Sequence, residues 1–348
     1  MFGVMKRLAM AYLRRPVVLS PGAATAWLES HADVTVVTSP RAHAAIMPSL
    51  IERNQKVILD PPLEVSGLDA MVPSITTSWV AGVGAGRIMD ASKYLAWRAR
   101  RKLCLIPSAL STTSWLNMAI ALRKDGELYF PGNNHATQTI VDPDFISKAP
   151  MALTLGGIVD ILAACTAVTD WVISHENAGE KISARGIKEF TALVTRILDS
   201  KAAFTGAPAA AIRAVHDMFL EALALCGASF SGRPVEGSEH FLYYLAEKTC
   251  KRRFVHGEII GLMMLAASRL QGSRAMVAPA RLKEFLAGIG VKYSPRELGM
   301  SREEMERVLR GARAFVAERK HPFSILNLID LDHEPAELNS ILDWLFAL

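Results

Sequence analysis

Three short segments carry the residues whose chemistry stands out in this chain. In the first, residues 156–160, Asp160 interrupts a run that is otherwise apolar as far as Thr169. A carboxylate removed from water needs a positive partner, and two later segments, 237–240 and 255–258, supply His240 and His256. We place all three residues near the start of a predicted helix. One Asp and two His are a suitable ligand set for a divalent metal that keeps positions open for substrate.

Ordinary core roles remain open for the same three residues. An isolated buried Asp is commonly satisfied by a backbone N–H or an arginine, and a single His on an apolar helix is commonly a hydrogen-bonded core residue. Long segments separate Asp160, His240 and His256 in the chain, so their spacing alone does not bring them together. The residue types therefore give a hypothesis of a metal site.

A second candidate site is the glycine-rich segment 82–87, with the sequence Gly-Val-Gly-Ala-Gly-Arg. It follows a predicted strand that begins at Ser78 and precedes a predicted helix that carries Asp90 and Lys93. In such a position, backbone N–H groups approach a pyrophosphate and the helix N-terminus adds positive potential. The spacing departs from G-x-G-x-x-G, and a simple tight turn is the alternative.

Hydroxyl side chains crowd residues 108–114, directly after a predicted strand at 103–107. Ligands of open α/β sheets bind at the carboxyl ends of strands, although a capped turn into a helix is the alternative. The strand at 34–38 is followed by Ser39 and Arg41, without the acidic residue that would reject a 2′-phosphate. We therefore expect NADPH to be tolerated, with Arg41 as a candidate contact for the 2′-phosphate.

Strand and helix signals alternate in the first part of the chain, which predicts a parallel sheet covered on both faces. The predicted strands are 16–19, 34–38, 57–59, 78–81, 103–107 and a last pair at 127–130 and 139–142. An Ala-rich helix to about Ser30 follows the first of them.

From about residue 150, helical periodicity dominates. The predicted helices are 155–176, 184–201, 208–226, 237–248, 255–270, 279–289, 301–318 and 335–347. We predict an α/β nucleotide-binding (Rossmann-like) domain at 1–149 and an all-α domain at 150–348 that binds metal and substrate. The ligand cleft is expected between these halves.

Composition excludes several classes of protein. Of the 348 residues, 51% are hydrophobic and 21% are charged, which is typical of a globular protein. The net charge of +5 comes from Lys and Arg that are scattered along the chain, so we expect no nucleic-acid partner.

The cysteines and the apolar segments exclude further classes. No C-x-x-C pair occurs, which argues against a zinc ribbon and for reduced cysteines in a cytoplasmic protein. We expect no signal peptide, because basic residues interrupt the apolar N-terminus, and no membrane span, because Asp160 and Asp170 interrupt the best candidate. The basic residues are Lys6, Arg7, Arg14 and Arg15, and the cysteines are Cys104, Cys165, Cys226 and Cys250.

Taken in order, these motifs resemble the sn-glycerol-1-phosphate dehydrogenase group of the iron-containing alcohol dehydrogenase and dehydroquinate synthase superfamily. The resemblance extends over most of the chain, from the first strand to about residue 270. The matching segments are 82–94, 111–112, 156–160 with 170–171, 233–234 with 237–240, and 256–258.

The resemblance implies a dehydroquinate synthase-like fold, a homo-oligomer, and NAD or NADP bound along the glycine loop and the hydroxyl segment. It implies a zinc-type metal on Asp160, His240 and His256 that polarises a carbonyl oxygen as hydride arrives. The implied cofactor contacts are Gly82, Gly84, Ala85, Gly86, Arg87, Asp90, Ser108, Ser111, Thr112 and Asn117.

Four positions depart from the family pattern. Thr113 stands where the family has a substrate-binding Asp, Ala164 where it has a Lys, Tyr244 where it has a second His, and Asn117 where it has a Ser. Hydrogen-bonding sites discriminate strongly between substrates, so dihydroxyacetone phosphate is not the expected substrate.

The leading hypothesis is an NAD(P)- and metal-dependent dehydrogenase or reductase of a small phosphorylated or otherwise anionic keto or hydroxy compound. Asp160, Tyr244 and Lys93 are the candidate catalytic residues, and Tyr244 either binds or protonates the substrate oxygen or simply packs. Lys93 and Arg233 are candidate anion contacts, with solvated or helix-capping cations as the alternative. The candidate substrate contacts are Thr113, Asp160, Arg233 and Tyr244.

Two other functions remain open. A sugar-phosphate cyclase of the dehydroquinate synthase type would use NAD transiently, but such enzymes carry Glu at the first metal position and basic residues nearby, whereas this chain has Asp160 and Ala164. A non-catalytic binding protein is the third hypothesis, and the intact set of three candidate metal ligands argues against it.

Overall fold

The computed structural model describes residues 17–46, 56–229 and 231–348. The basic residues of the N-terminus and the first residue of the predicted strand 16–19 lie outside this range. Two compact units make up the described chain. The sheet unit comprises the described residues up to Thr154 with Gly206–Phe219, and the helical unit comprises Leu155–Thr205 with Leu220–Leu348. The domain boundary after residue 149 stays a prediction.

The sheet unit is built on six parallel strands in the order β1-β8-β5-β4-β2-β3. Its elements in chain order are β1 (Val17–Leu19), α1 (Ala23–Ser30), β2 (Val34–Thr38), α2 (Pro40–Ala45), β3 (Lys56–Leu59), α3 (Val65–Met71), β4 (Trp79–Gly84), α4 (Gly86–Arg98), β5 (Lys102–Pro107), β6 (Leu122–Lys124), β7 (Glu127–Tyr129), β8 (Gln138–Val141) and α5 (Pro143–Ile146). The strand β2 is buried at all five positions, as expected for a parallel strand whose two faces are covered. The predicted α/β class is confirmed.

The order of the strands reverses between β2 and β4. From β2 the chain continues to β3 on one side, and from β4 it continues to β5 and β8 on the other. The carboxyl ends of two strands at such a switch point form the crevice in which α/β sheets bind ligands. The glycine-rich loop follows β4, so it lies at this point of the sheet.

The last two predicted strands, 127–130 and 139–142, are both present, but they lie in different sheets. The strand β7 pairs antiparallel with β6 in a separate two-stranded sheet, and β8 lies between β5 and β1. Asp125 and Gly126 join β6 to β7, and both have positive φ, 55° and 78°. An Asp-Gly pair with that geometry is the usual connection of a tight hairpin, and it is the signal that the sequence analysis missed.

The helical unit is helical in nearly all its described elements. From the end of the sheet unit the helices are α6 (Met151–Leu162), α7 (Ala164–Ala178), α8 (Ala184–Asp199), α9 (Lys201–Thr205), α10 (Pro208–Ser229), α11 (Ser238–Cys250), α12 (His256–Gln271), α13 (Pro279–Ile289), α14 (Arg302–Glu318), α15 (Ile325–Leu328) and α16 (Pro335–Phe346). The first part of α10 belongs to the sheet unit.

The predicted helix 155–176 is two helices, with Ala163 between α6 and α7. Because α6 begins directly after Pro150, which favours a helix start, Asp160 lies near the end of its helix. The prediction that it lies near a helix start is therefore wrong, whereas His240 and His256 do lie in the first turns of α11 and α12.

The stretch Met151–Ala178 is long and apolar enough to cross a membrane by length and composition, although it contains Asp160 and Asp170. Within its most apolar window, 83% is buried inside the protein, as in the core helices of globular proteins.

Candidate metal centre and nucleotide loop

Three side chains from three helices of the helical unit converge. One ligand atom each from Asp160, His240 and His256 lies within 4.8 Å of the other two. The Nε2 atoms of His240 and His256 lie 3.4 and 3.1 Å from the same oxygen, Oδ1 of Asp160. Two imidazole nitrogens and one carboxylate oxygen are a typical set of protein ligands in catalytic zinc sites, which keep a fourth position for water or substrate.

Glycines in the motifs allow this convergence. A Cβ atom on Gly257 would lie 2.3 Å from the Cα atom of Gly156, so α6 and α12 cross with their backbones in contact. Likewise, a Cβ atom on Gly237 would lie 2.6 Å from the Cα atom of Ala167. The contact of Gly156 with Gly257 lies one turn before Asp160 and directly beside His256. A side chain on Gly257 would separate α6 from α12, and a side chain on Gly237 would separate α7 from the start of α11.

A fully buried carboxylate, Glu239, orients His240. Its oxygens accept hydrogen bonds from Nδ1 of His240 (2.8 Å), the backbone N–H of Gly237 (2.8 Å) and the hydroxyl of Thr166 (2.7 Å). Because Nδ1–H is donated to Glu239, Nε2 is the nitrogen of His240 that faces Asp160 and that would bind a metal after losing its proton. Glu239 was not among the predicted site residues, although its position directly before a candidate ligand was the available signal.

Electrostatics favour a cation beside Asp160. Burial alone would raise the pKa of Asp160, but the two imidazoles, His256 first, lower this pKa below its usual range. Burial also opposes the charged form of His240, yet its hydrogen bonds to Asp160 and Glu239 raise the pKa of His240 to about 10. The buried carboxylates thus stabilise positive charge strongly, which is a property that a divalent metal site needs.

A second buried carboxylate, Asp170, has a different environment. It accepts hydrogen bonds from the backbone N–H groups of Ser238 (2.6 Å) and Ile325 (2.9 Å) and from the amide of Gln271 (3.2 Å). Burial, and next the charge of Glu239, raise the pKa of Asp170 to about 6. Asp170 thereby ties α7 to the starts of α11 and α15.

Tyr244 lies one turn after His240 on α11, and the two ring centroids are 6.2 Å apart. Its hydroxyl donates a hydrogen bond of 2.7 Å to Glu236. Burial, followed by the charge of Glu236, raises the pKa of Tyr244 well above its usual value. The phenol is therefore neutral, with its proton directed to Glu236, which makes it a weak proton donor for a substrate.

Arg233, a predicted anion contact, is only 8% exposed. Its guanidinium donates Nε–H to Glu180 (3.2 Å) and its Nη1–H and Nη2–H groups to the carbonyls of Glu236 (3.1 Å) and Phe323 (2.8 Å). These contacts join segments that are distant in the chain. They give Arg233 an internal, cross-linking position, which the sequence did not reveal.

In the sheet unit, the glycine loop connects β4 directly to α4. A Cβ atom on Gly82 would lie 2.5 Å from the Ser92 hydroxyl, and one on Gly84 would lie 2.7 Å from the Ile88 side chain, so α4 packs closely on the loop. The N-cap residue Ala85 makes no side-chain cap for α4. Since the first N–H groups of a helix need an outside partner, this uncapped start suits a phosphate group.

An acidic side chain lies next to the loop, although the sequence analysis found none at the end of β2. Asp60 directly follows β3, its N–H donates to the carbonyl of Thr38 (2.8 Å), and its carboxylate pairs with Arg87. Thr38 in turn donates its hydroxyl to the carbonyl of Val83 (2.7 Å), which joins β2 to β4. The side chain of Arg41 is exposed on α2.

Lys93, the other predicted anion contact, is completely buried. Its ammonium lies 2.7 Å from the carboxylate of Asp90 and also donates hydrogen bonds to Asn117 (3.3 Å) and the carbonyl of Ala119. Burial raises the pKa of Asp90, and Lys93 opposes this shift. The pair therefore holds the segment around Asn117 against α4.

The hydroxyl segment forms local hydrogen bonds in the same unit. Thr112 caps a short 3-10 turn, Thr113–Trp115, and its hydroxyl lies 2.7 Å from that of Ser114. Asn117 donates to the Thr113 hydroxyl (2.8 Å), and the N–H of Ser108 donates to the carbonyl of Gly84 (2.6 Å). The structure thus places Ser108, Thr112 and Asn117 in the same unit as the glycine loop.

A family model described as iron-containing alcohol dehydrogenase matches residues 31–150. The chain is 27% identical over 266 residues to the glycerol-1-phosphate dehydrogenase [NAD(P)+] of Methanospirillum hungatei, covering 76% of this chain and 71% of that protein. It is 27% identical over 258 residues to the enzyme of the same name from Thermofilum pendens, covering 73% and 71% of the two chains.

Solved structures show the same fold. Maleylacetate reductase from Agrobacterium tumefaciens matches with a TM-score of 0.68 at 15% identity, covering 96% of both chains. Glycerol dehydrogenase from Schizosaccharomyces pombe matches with a TM-score of 0.64 at 18% identity, covering 95% of this chain and 88% of the other. The chain is therefore similar to glycerol-1-phosphate dehydrogenases over about three quarters of its length, its residues 31–150 match the iron-containing alcohol dehydrogenase family, and it is an oxidoreductase.

Proposed function

We propose that this oxidoreductase depends on NAD(P) and a divalent metal, zinc or a similar ion, and interconverts a small carbonyl compound and the corresponding alcohol. The observation that carries the proposal is the convergence of Asp160, His240 and His256. A metal held by these three residues would supply Lewis acidity at the carbonyl oxygen, and NADH or NADPH held at the glycine loop would supply hydride.

The residues around the candidate ligands would hold them in place before substrate binds. Glu239 fixes the orientation of the His240 ring, and the contact of Gly156 with Gly257 fixes the approach of α6 to α12. Such preorganisation lowers the cost of reaching a reactive geometry.

Tyr244 would bind substrate rather than protonate it. Its proton is directed to Glu236, so its oxygen is available to accept a hydrogen bond from a substrate hydroxyl. Lys93 forms a buried ion pair with Asp90, and this supports a positioning role for Lys93. Its hydrogen bond to Asn117, which in turn bonds to Thr113, would hold both residues in the nucleotide-binding unit.

The cofactor would lie at the switch point of the sheet, with its pyrophosphate at the uncapped start of α4. The exposed Arg41 supports acceptance of NADPH beside NADH. The cofactor contacts given for the family resemblance are proposed unchanged, as are a homo-oligomeric state and a cytoplasmic location.

The direct test is turnover by zinc-loaded protein. We expect oxidation of NADH or NADPH with at least one member of a panel of small ketones and aldehydes, and loss of this activity in Asp160→Ala. Absence of turnover across the panel, with stoichiometric metal bound, would reject the proposal. Tightly bound NAD without net reduction would instead favour the cyclase alternative.

A further inference from the structure

We infer that Glu236 excludes phosphate esters from the candidate metal centre, so that the substrate is an uncharged hydroxy-carbonyl compound. This inference rests on the proposed function and specifies its substrate class. It concerns a residue to which the family resemblance assigned no role. It also replaces the expectation of an anionic substrate, because the two cations that supported that expectation, Lys93 and Arg233, are engaged inside the protein.

The carboxylate of Glu236 lacks a cationic partner among the described residues. The hydrogen bond that it accepts comes from the Tyr244 hydroxyl, at 2.7 Å. Arg233 is adjacent, but its guanidinium donates to the main-chain carbonyl of Glu236 and to the carboxylate of Glu180. The negative charge of Glu236 is therefore shared with a neutral phenol and is not neutralised by an ion pair.

Tyr244 connects this charge to the neighbourhood of the candidate metal ligands. Tyr244, which bonds to Glu236, is one turn after His240 on the same helix, and the charges of both Glu236 and Asp160 act on its hydroxyl. The ring of His321 lies 5.9 Å from that of Tyr244. Burial lowers the pKa of His321, so this imidazole does not add a cation at neutral pH.

The balance of charge at the centre opposes a phosphate. The carboxylates of Asp160 and Glu239 offset a divalent cation, and the imidazoles of His240 and His256 are neutral when they bind a metal. Glu236 then adds a net negative charge on the side of Tyr244. A phosphate dianion would be repelled there, whereas a hydroxyl group can donate a hydrogen bond to the second carboxylate oxygen of Glu236.

The position of Ala164 agrees with this charge balance. It is fully buried near the start of α7, where the family pattern has a Lys. A methyl group there supplies no positive charge with which a phosphate would pair.

The test compares dihydroxyacetone with dihydroxyacetone phosphate as substrates of the zinc-loaded protein. We expect the wild-type protein to prefer the uncharged ketone in kcat/KM by at least about tenfold, the size of one repulsive charge pair near a protein surface. Glu236→Gln should raise the ratio of kcat/KM for the phosphate ester to that for the ketone by about tenfold or more. Glu236→Asp keeps the charge and should keep the wild-type ratio.

Glu247→Gln is the matched control, since Glu247 also accepts a hydrogen bond from a tyrosine of α11, Tyr243. This control should leave the ratio unchanged. Binding provides a second readout: inorganic phosphate should raise the Tm of Glu236→Gln more than that of the wild-type protein.

The outcomes separate the two proposals. A wild-type preference for the phosphate ester, or an unchanged ratio in a folded Glu236→Gln, would overturn the inference and leave the proposed function standing. If Glu236→Gln does not fold, loss of discrimination in Glu236→Asp would overturn it. Absence of turnover with a full panel of carbonyl compounds would reject the proposed function itself.

Discussion

Two buried carboxylates in one apolar stretch, Asp160 and Asp170, have opposite surroundings. Asp160 is 6% exposed and Asp170 is completely buried, so ionisation of either carboxyl group carries a desolvation cost. Asp160 lies beside the imidazoles of His240 and His256. Asp170 accepts its hydrogen bonds from two backbone N–H groups and from the amide of Gln271.

The two carboxylates differ in whether their partners can bind and release a proton or a metal ion. An imidazole binds either a proton or a metal, so the Asp160 cluster can gain and lose a cation. Backbone N–H groups and an amide cannot bind a cation in place of a proton, so the role of Asp170 is to cross-link three segments. The residue type and its apolar surroundings are the same in the sequence, and the partners supplied by distant segments separate a candidate site from a structural residue.

The largest effect that would sharpen this comparison is expected for Asp160→Asn. Loss of the anionic ligand should lower turnover by on the order of a thousandfold or more, because a Lewis acid contributes several kcal/mol to the transition state. Steady-state kinetics after zinc loading measure this effect. The matched control is Asp199→Asn in the same unit, which removes an exposed carboxylate paired with Arg281. Wild-type activity in Asp160→Asn would break the comparison.

Asp170→Ala should change stability and leave metal binding intact. The substitution leaves the buried N–H groups of Ser238 and Ile325 without an acceptor and removes one of the two acceptors of the Gln271 amide, at about 1–3 kcal/mol each, so we expect a loss of about 3–5 kcal/mol in the free energy of unfolding. Urea titration gives this value, and metal analysis of the folded protein gives the zinc content. A loss of zinc without a loss of stability would contradict the structural role.

The protonation of Asp170 should be visible in the pH dependence of stability. Its pKa is about 6 in the folded protein against an ordinary value of 3.8, so the folded state binds the proton more tightly. The resulting stabilisation is complete below about pH 4 and is lost as the pH rises through 6, by up to about 3 kcal/mol. The difference in unfolding free energy between the wild-type protein and Asp170→Asn should fall over this range. A difference that rises or stays constant would show that the carboxylate is not protonated in this way.

The smallest expected effect belongs to Glu239→Gln. Because Gln is a weaker acceptor for the Nδ1–H group of His240, zinc affinity should fall by about tenfold. Competition with a chelator measures this affinity, and Glu247→Gln should leave it unchanged. An unaltered affinity in Glu239→Gln would remove the orienting role of this carboxylate.

The sequence predicted correctly those helices and strands whose first and last residues are marked by neighbouring proline, glycine or turn residues. The helix Pro279–Ile289 agrees at both ends with its prediction, because Pro279 starts it and Gly290 ends it in a left-handed conformation at φ 71°. The strand β2 agrees for a similar reason, since a β-branched run is bounded by turn residues. By contrast, the start of α6 was placed too late, because its first turn gives only a weak periodic signal.

Long-range contacts account for the rest. The partners of Arg233 come from Glu180 and Phe323, far away in the sequence, so no spacing rule indicates that its charge is engaged. The same holds for Asp60, which reaches Arg87 only because β3 and β4 flank β2 in the sheet. The convergence of the three candidate ligands was suggested by family resemblance and not by spacing.

The most direct test of the central claim is an anomalous difference map at the zinc edge from crystals of zinc-loaded protein. We expect one strong peak per chain, within about 2.0–2.2 Å of the Asp160 carboxylate and of Nε2 of both His240 and His256. Absence of a peak at these three side chains, with zinc present in the crystal, would contradict the account.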